Sequence, residues 1–178
     1  MDFKSLGLGT PSHSHLDSAA YFITAATYRH QRLLGPESKV HLRELLQRVF
    51  ADYGWRLEHW VILDNHYHLL ATSRTGRDLR RIINKVRNLS AQEINRRRAH
   101  ERVWCNYWDY CPRHERDYQV RLCYLPNHPF KHGDAQNLHE WPWSSFATLY
   151  EEREEDGMHR LFREYREYRD LELLEDDC

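Results

Sequence analysis

Two apolar runs separated by two turn residues constrain the fold of this chain more than any other feature of its sequence. The first run is WRLEHWVIL, residues 55–63, and the second is HYHLLATS, residues 66–73. Asp64 and Asn65 stand between them, and both residue types favour tight turns. The pattern predicts two antiparallel strands joined as a hairpin, with a histidine pair at the start of the second strand.

The histidine pair has two interpretations. Successive side chains of a strand point to opposite faces, so His66 and His68 are predicted on one face and Tyr67 on the other. Two imidazoles placed in this way can hold a divalent cation, or they can be polar residues on a solvated face. A metal site would need a third ligand from elsewhere in the chain.

The elements around the hairpin predict the fold class. Hydrophobic spacing and composition predict a strand at 19–27, helices at 37–53 and 78–97, a strand at 103–111 and a helical segment at 114–124. The order β-α-β-β-α-β is that of a ferredoxin-like α/β (α+β) domain with an antiparallel sheet, followed here by an additional C-terminal helical part. We expect one domain at 19–150, a mobile arm at 1–18 and an acidic tail or helix at 151–178.

Charge is distributed unevenly along the chain. Residues 151–178 carry twelve Asp/Glu and five Arg, a net charge of -7, whereas residues 1–150 carry 21 Lys/Arg and 15 Asp/Glu, a net charge of +6. Ten of the basic residues fall within 74–102, on and around the helix predicted at 78–97. A basic body favours a polyanionic partner such as nucleic acid, although a solvated surface explains the same charges.

The longest apolar runs are shorter than the roughly 18 residues that a membrane-spanning helix needs. The first residues, MDFKSLGLGTPSHSHLD, lack the apolar centre of a signal peptide. We therefore expect a cytoplasmic protein.

Candidates for the reactive group and the third ligand lie in RDYQVRLCYLPNHPFKHG, residues 116–133. Tyr124 and His128 are four residues apart and would share one face of a helix. A phenol is a weak nucleophile at neutral pH, but a metal-polarised phosphodiester is a strong enough electrophile to compensate. Pro126 is expected to distort the end of this helix.

These segments together resemble a known family. DNHYHLL resembles the HUH motif (His, hydrophobic, His) of single-tyrosine transposases, with Tyr67 in the middle position. The similarity is greatest to the REP-associated tyrosine transposases, in which a basic helix, an aromatic strand, a helix ending in a tyrosine, an Asn-Pro turn and a Trp-Pro-x-Ser segment follow in this order. The matching pieces here are VWCNYWDY, DYQVRLCYLPNHPFKHG and WPWSSF, and the order agrees from about residue 19 to 150.

The resemblance implies a catalytic domain at 19–150 that cleaves and rejoins single-stranded DNA at hairpin-forming REP elements through a 5′-phosphotyrosine. It implies Tyr124 as the nucleophile and His66 and His68 as ligands of Mg²⁺ or Mn²⁺. His128 occupies the place of a further ligand, where the family usually has Asn or Gln. We expect Arg80, Arg81, Lys85 and Arg87 on the basic helix to bind DNA phosphates.

Two other functions remain open at this point. A ferredoxin-like sheet with aromatics such as Tyr107 and Trp108 could stack single-stranded nucleic acid without catalysis, as a binding module or a domesticated regulator. A structural zinc protein is less consistent with the sequence, because the four cysteines show no C-x-x-C spacing. The sequence leaves monomer and homodimer undecided.

Overall fold

The computed structural model of the protein describes residues 15–96 and 102–173. Residues 1–14, which make up most of the predicted N-terminal arm, lie outside the described residues. The last five residues of the predicted acidic tail, 174–178, do so as well.

Four antiparallel strands form the sheet at the centre of the fold. They are β1 (Ala20–Thr27), β2 (Arg56–Ile62), β3 (His66–Thr72) and β4 (Trp104–Tyr110), arranged in the order β2-β3-β1-β4. Asp64 and Asn65 close the β2–β3 hairpin, in which Ile62 pairs with Tyr67. The predicted ferredoxin-like antiparallel sheet is confirmed.

Four helices cover both faces of this sheet. They are α1 (Pro36–Asp52), α2 (Leu79–Asn95), α3 (Glu115–Lys131) and α4 (Phe146–Glu164). Apolar residues of α1 and α2 share one buried core with one face of the sheet, while residues of α3 and α4 share a second core with the opposite face. The chain therefore forms three layers.

Successive side chains of β3 point to opposite faces of the sheet and so belong to different cores. Tyr67 and Leu69 belong to the core beneath α1 and α2, whereas Leu70 belongs to the core beneath α3 and α4. His66 and His68 share the direction of Leu70 because side chains two residues apart lie on one face of a strand. Both imidazoles therefore point towards α3.

Helix α3 is longer than the sequence predicts. The expected helix ends near Tyr124, but α3 continues through Pro126 and Pro129 to Lys131. Each proline removes one backbone hydrogen bond, which costs about 3 kcal/mol in an isolated helix. Both proline rings are buried, so apolar burial offsets this cost and keeps His128 in helical register with Tyr124.

The described part of the predicted acidic tail is largely helical. Position 150, where we expected the catalytic domain to end, falls inside α4, and a 3₁₀ segment, Arg166–Asp170, follows that helix. Met158, Leu161 and Tyr168 are buried in the core that α3 shares with the sheet. These side chains attach the segment to the body of the protein, while its acidic residues face solvent.

The WPWSSF segment pairs with the outer edge of β2. The Ile62 amide donates to the Trp143 carbonyl (2.8 Å), and the Ser145 amide donates to the Trp60 carbonyl (2.9 Å). The Trp141 indole donates to the Ile62 carbonyl (3.1 Å). These bonds satisfy edge groups that would otherwise invite pairing with another chain.

Within residues 15–96 and 102–173, no helix combines the length and apolar character needed to cross a bilayer.

Candidate active site

Three imidazoles meet between the sheet and α3. His66 and His68 come from β3, and His128 comes from α3, four residues after Tyr124. His128 Nε2 lies 2.6 Å from His66 Nε2 and 3.0 Å from His68 Nε2. The three rings are at most 2% exposed, so the structure brings together all three residues that we expected to bind the metal.

Neighbouring side chains contact Nδ1 of two of these rings, and the contact from Asn65 sets the tautomer of His66. Asn65 Nδ2 donates to the His30 carbonyl (3.3 Å), which turns Asn65 Oδ1 towards His66 to accept a hydrogen bond from Nδ1 (2.7 Å). The Thr24 hydroxyl lies 2.7 Å from His68 Nδ1 and can accept in the same way. With Nδ1 protonated, a neutral imidazole presents the lone pair of Nε2.

The His128 ring differs from the other two. Its Nδ1 is buried and has no hydrogen-bond partner among the described residues. No protein neighbour of that set therefore fixes the protonation of His128 through Nδ1. Without a cation, His128 Nε2–H can donate to both facing imidazoles; with a cation, the same atom can offer its lone pair.

Burial keeps the three imidazoles uncharged. It lowers the pKa of His66 to about 3, with a smaller contribution from His132, and it lowers the pKa of His128 to about 2, with a smaller contribution from His66. The pKa of His68 is lowered well below its ordinary value, again by burial first and by the proximity of His128 second. Protons therefore do not compete for these nitrogens near neutral pH.

This group could hold a metal ion. One ligand atom from each histidine lies within 4.8 Å of the others. The donors are neutral imidazole nitrogens with fixed or adaptable tautomers, as metal coordination requires. A set of three nitrogens without a carboxylate suits Mn²⁺ or a later transition metal better than Mg²⁺, which prefers oxygen ligands.

Tyr124 stands directly beside this group. Its ring centroid is 4.7 Å from that of His128 and 5.5 Å from that of His68. The ring also meets Phe22 of β1 edge-on at 6.2 Å, which helps to fix its direction. Tyr124 is 4% exposed and lines a cavity beside the imidazoles.

The four basic residues that we expected to bind DNA lie on α2, which packs on the opposite face of the sheet. Arg80 and Arg87 line a groove of about 380 Å³ with Asn84 and with residues of β4. Arg81 projects elsewhere and lies 3.5 Å from Asp78, and Lys85 pairs with Asp52 at 3.0 Å. The four therefore do not form one surface.

Three neighbours of the imidazoles are not among the site residues predicted from the sequence. Thr24 pairs with His68 across the sheet, and Asn65 is the turn residue before His66. His132, the C-cap residue of α3, continues the spacing of Tyr124 and His128, and its ring centroid lies 4.4 Å from that of His128. Only His132 had a sequence signal, because three side chains spaced by four share one helix face.

Comparisons with known proteins identify similar sequences and a similar fold. A family model described as "Transposase IS200 like" matches residues 15–115. The REP-associated tyrosine transposase of Escherichia coli (strain K12) is 26% identical over 133 residues, which cover 71% of this chain and 74% of that protein. A putative REP-associated tyrosine transposase of Haemophilus influenzae (strain ATCC 51907 / DSM 11121 / KW20 / Rd) is 24% identical over 155 residues, covering 74% and 88%.

A solved structure has the same fold. It is described as the REP-associated tyrosine transposase bound to a REP hairpin, and it superposes with a TM-score of 0.67. The two chains are 22% identical, and the match covers 79% of this chain and 84% of the other.

Proposed function

Because the chain belongs to the IS200-like transposase family, we propose that it cleaves and rejoins single-stranded DNA at hairpin-forming repeats through a 5′-phosphotyrosine on Tyr124. The resemblance to REP-associated tyrosine transposases that the sequence predicts is confirmed. The observation that carries the proposal is the meeting of three imidazole nitrogens within 4.8 Å of one another beside the Tyr124 ring.

His66, His68 and His128 would hold the cation. When bound, a divalent ion supplies polarisation of the scissile phosphate and stabilisation of the charge that develops on it. Asn65 and Thr24 keep the Nε2 atoms of the histidine pair directed inwards. Their part is to maintain the ligand tautomers while the DNA enters and leaves.

Tyr124 performs the covalent step. Its phenolic oxygen attacks the phosphorus, the bond to the 3′-oxygen breaks, and the departing 3′-oxygen gains a proton as the phenol loses one. The phosphodiester energy stays in the tyrosine ester, so a 3′-hydroxyl can reverse the step and rejoin a strand without ATP. Helix α3 holds the phenol and His128 one turn apart, which fixes their relative position.

The alternative function, a binding module that stacks bases on an open sheet, is disfavoured by the three-layer architecture. Tyr107 is 7% exposed, and helices cover both faces of the sheet. A structural zinc site is also disfavoured, because the His/Cys/Asp/Glu group suited to a metal among the described residues has three members, whereas a closed structural zinc site has four.

The test is direct. The protein is incubated with Mn²⁺ and a 5′- or 3′-labelled hairpin oligonucleotide with single-stranded flanks, and covalent adducts are separated on a denaturing gel. A 5′-phosphotyrosine retains only the label on the 3′ side of the cut. Tight binding without any adduct, over a range of hairpins and metals, would favour the non-catalytic alternative.

A further inference from the structure

A cavity of about 350 Å³ opens beside Tyr124 between α3 and the 3₁₀ segment Arg166–Asp170. Asn127 and Lys131 follow Tyr124 at intervals of three and seven residues, so they extend its face of the helix into this cavity. Tyr168 and Arg169 form the facing wall. The volume lies at the lower end of the range for small-ligand sites, about 300–1,000 Å³.

Two cations line this cavity together with Tyr124. Lys131 Nζ lies 5.9 Å from the centroid of the Tyr124 ring and donates to the Leu171 carbonyl (3.3 Å). The Arg169 guanidinium lies 5.7 Å over the Tyr168 ring. Neither cation forms an ion pair within the described part of the chain, so both charges remain available to an anion.

An exposed aromatic ring completes the wall. Phe130 lines the cavity and is 56% exposed. Exposure of a phenyl ring to water is unfavourable, so covering this ring with a ligand would lower the free energy. Asn127 Nδ2 donates to the Cys123 carbonyl (2.8 Å), and its Oδ1 accepts no hydrogen bond from the described residues. The cavity thus offers a stacking surface, a hydrogen-bond acceptor and two positive charges.

We propose, resting on the proposed function, that this cavity is a nucleotide subsite for the single-stranded DNA residue next to the scissile phosphate. The base stacks on Phe130 and donates an N–H to Asn127 Oδ1, and its neighbouring phosphate binds Lys131 and Arg169. The volume of about 350 Å³ is large enough for one nucleobase. A seated base would deliver the adjoining phosphodiester to Tyr124.

The experiment uses the Tyr124→Phe protein, which cannot cleave, and a hairpin oligonucleotide whose flank carries 2-aminopurine at successive positions. Stacking on an aromatic ring quenches this base. We expect strong quenching at one flank position. Phe130→Leu, which keeps apolar volume without a ring, should abolish that quenching and weaken binding about fivefold or more.

Matched variants make the result specific. Phe130→Tyr keeps the ring and should retain the quenching. Leu16→Ala removes another exposed large hydrophobic residue, 55% exposed, and should change nothing. Lys131→Gln and Arg169→Gln should each lower the slope of log affinity against log salt by about 0.7, whereas Arg166→Gln, on the same segment but outside the cavity, should leave it unchanged.

Flank positions whose fluorescence never depends on Phe130 would overturn the subsite, and unchanged salt slopes would overturn the phosphate contacts. The adduct assay on the unaltered protein keeps this outcome separate from the proposed function. An adduct without Phe130-dependent quenching removes the subsite and leaves the function. Phe130-dependent quenching without an adduct would keep the subsite and remove the proposed cleavage function.

Discussion

Tyr124 and His128 are one turn apart on α3, but they have different parts in the proposed reaction. Tyr124→Phe removes only the phenolic oxygen and keeps the ring that packs against Phe22. We expect loss of the covalent adduct with oligonucleotide binding kept within a few fold, because the chemistry and the affinity depend on different groups. A denaturing gel and a binding titration measure the two effects.

Tyr118 provides the control for that variant. It lies on the same helix, and its hydroxyl donates to Glu58 (2.9 Å), away from the imidazoles. Tyr118→Phe should form the adduct normally. Adduct formation by Tyr124→Phe would move the nucleophile to another residue.

His128→Ala removes one of the three proposed nitrogen ligands. We expect the Mn²⁺ concentration for half-maximal cleavage to rise about tenfold or more, the scale of losing a ligand or its close support. His128→Asn introduces an amide in place of the imidazole and should recover much of this loss, with better tolerance of Mg²⁺ because the amide offers oxygen. Metal titrations of the adduct yield compare the three proteins.

His132→Ala is the matched change four residues further on, at the C-cap of α3, where the imidazole is exposed. It should leave the Mn²⁺ requirement close to that of the unaltered protein. If His128→Ala cleaves with the same metal dependence, His128 is not a ligand, and DNA or solvent completes the coordination.

At this scale the sequence predicted part of the site. The H-x-H spacing is visible because a strand alternates every two residues, and Tyr124 and His128 are visible because a helix repeats near four. Thr24 could not be found in this way, since its proximity to His68 arises from the β1–β3 register, across 44 residues of chain. Asn65 reads as an ordinary turn residue until its amide is seen to hold His66.

Among the elements, α3 is an example of tertiary packing that overrides local sequence preferences. Pro126 and Pro129 predict the end of a helix, but the predicted end near Tyr124 is too early. The prolines, Leu125 and His128 are all buried, and a helix that stopped at Tyr124 would leave His128 without a fixed direction. Tertiary burial, which a single sequence does not display, extends the helix to Lys131.

The β2–β3 turn depends on a buried ammonium group. Lys39 of α1 is 3% exposed, donates to Asp64 and lies 4.4 Å from the centroid of the Trp141 ring. Lys39→Met should lower the free energy of unfolding by about 1–3 kcal/mol, less than for a fully buried pair because Asp64 keeps Arg32. Urea unfolding measures this difference.

Lys85→Met is the control, since its ion pair with Asp52 is exposed and should contribute less than about 1 kcal/mol to the free energy of unfolding.

Burial alone would raise the pKa of Asp64, but hydrogen bonds from Lys39 and Arg32 outweigh it and hold this pKa below its ordinary value. The stability from this pairing is therefore complete above about pH 4 and is lost on acidification. The difference between Lys39→Met and the unaltered protein should shrink below that pH.

On the scale of the whole molecule, the candidate chemistry and the groove on α2 lie on opposite faces of the sheet. Arg80→Gln, in the groove, should reduce the slope of log affinity against log salt by about 0.7–0.9, the value for one phosphate contact. Arg81→Gln removes the same charge from the next residue, which is paired with Asp78, and should change the slope less. Equal effects of the two variants would argue against the groove as a DNA contact.

The separation of His66 and His128 by 62 residues has a further consequence for the lifetime of the folded chain. An ion held by both would join β3 to α3, and the unfolded chain could not offer the same geometry, so binding would add to the free energy of unfolding. At a hundred times its dissociation constant, Mn²⁺ should add about 2.7 kcal/mol, measured as a rise in the denaturation midpoint that His128→Ala largely removes. A midpoint insensitive to Mn²⁺ would contradict this linkage. If the linkage holds, withdrawing the metal would expose the transposase to proteolysis as well as stop the proposed cleavage of DNA.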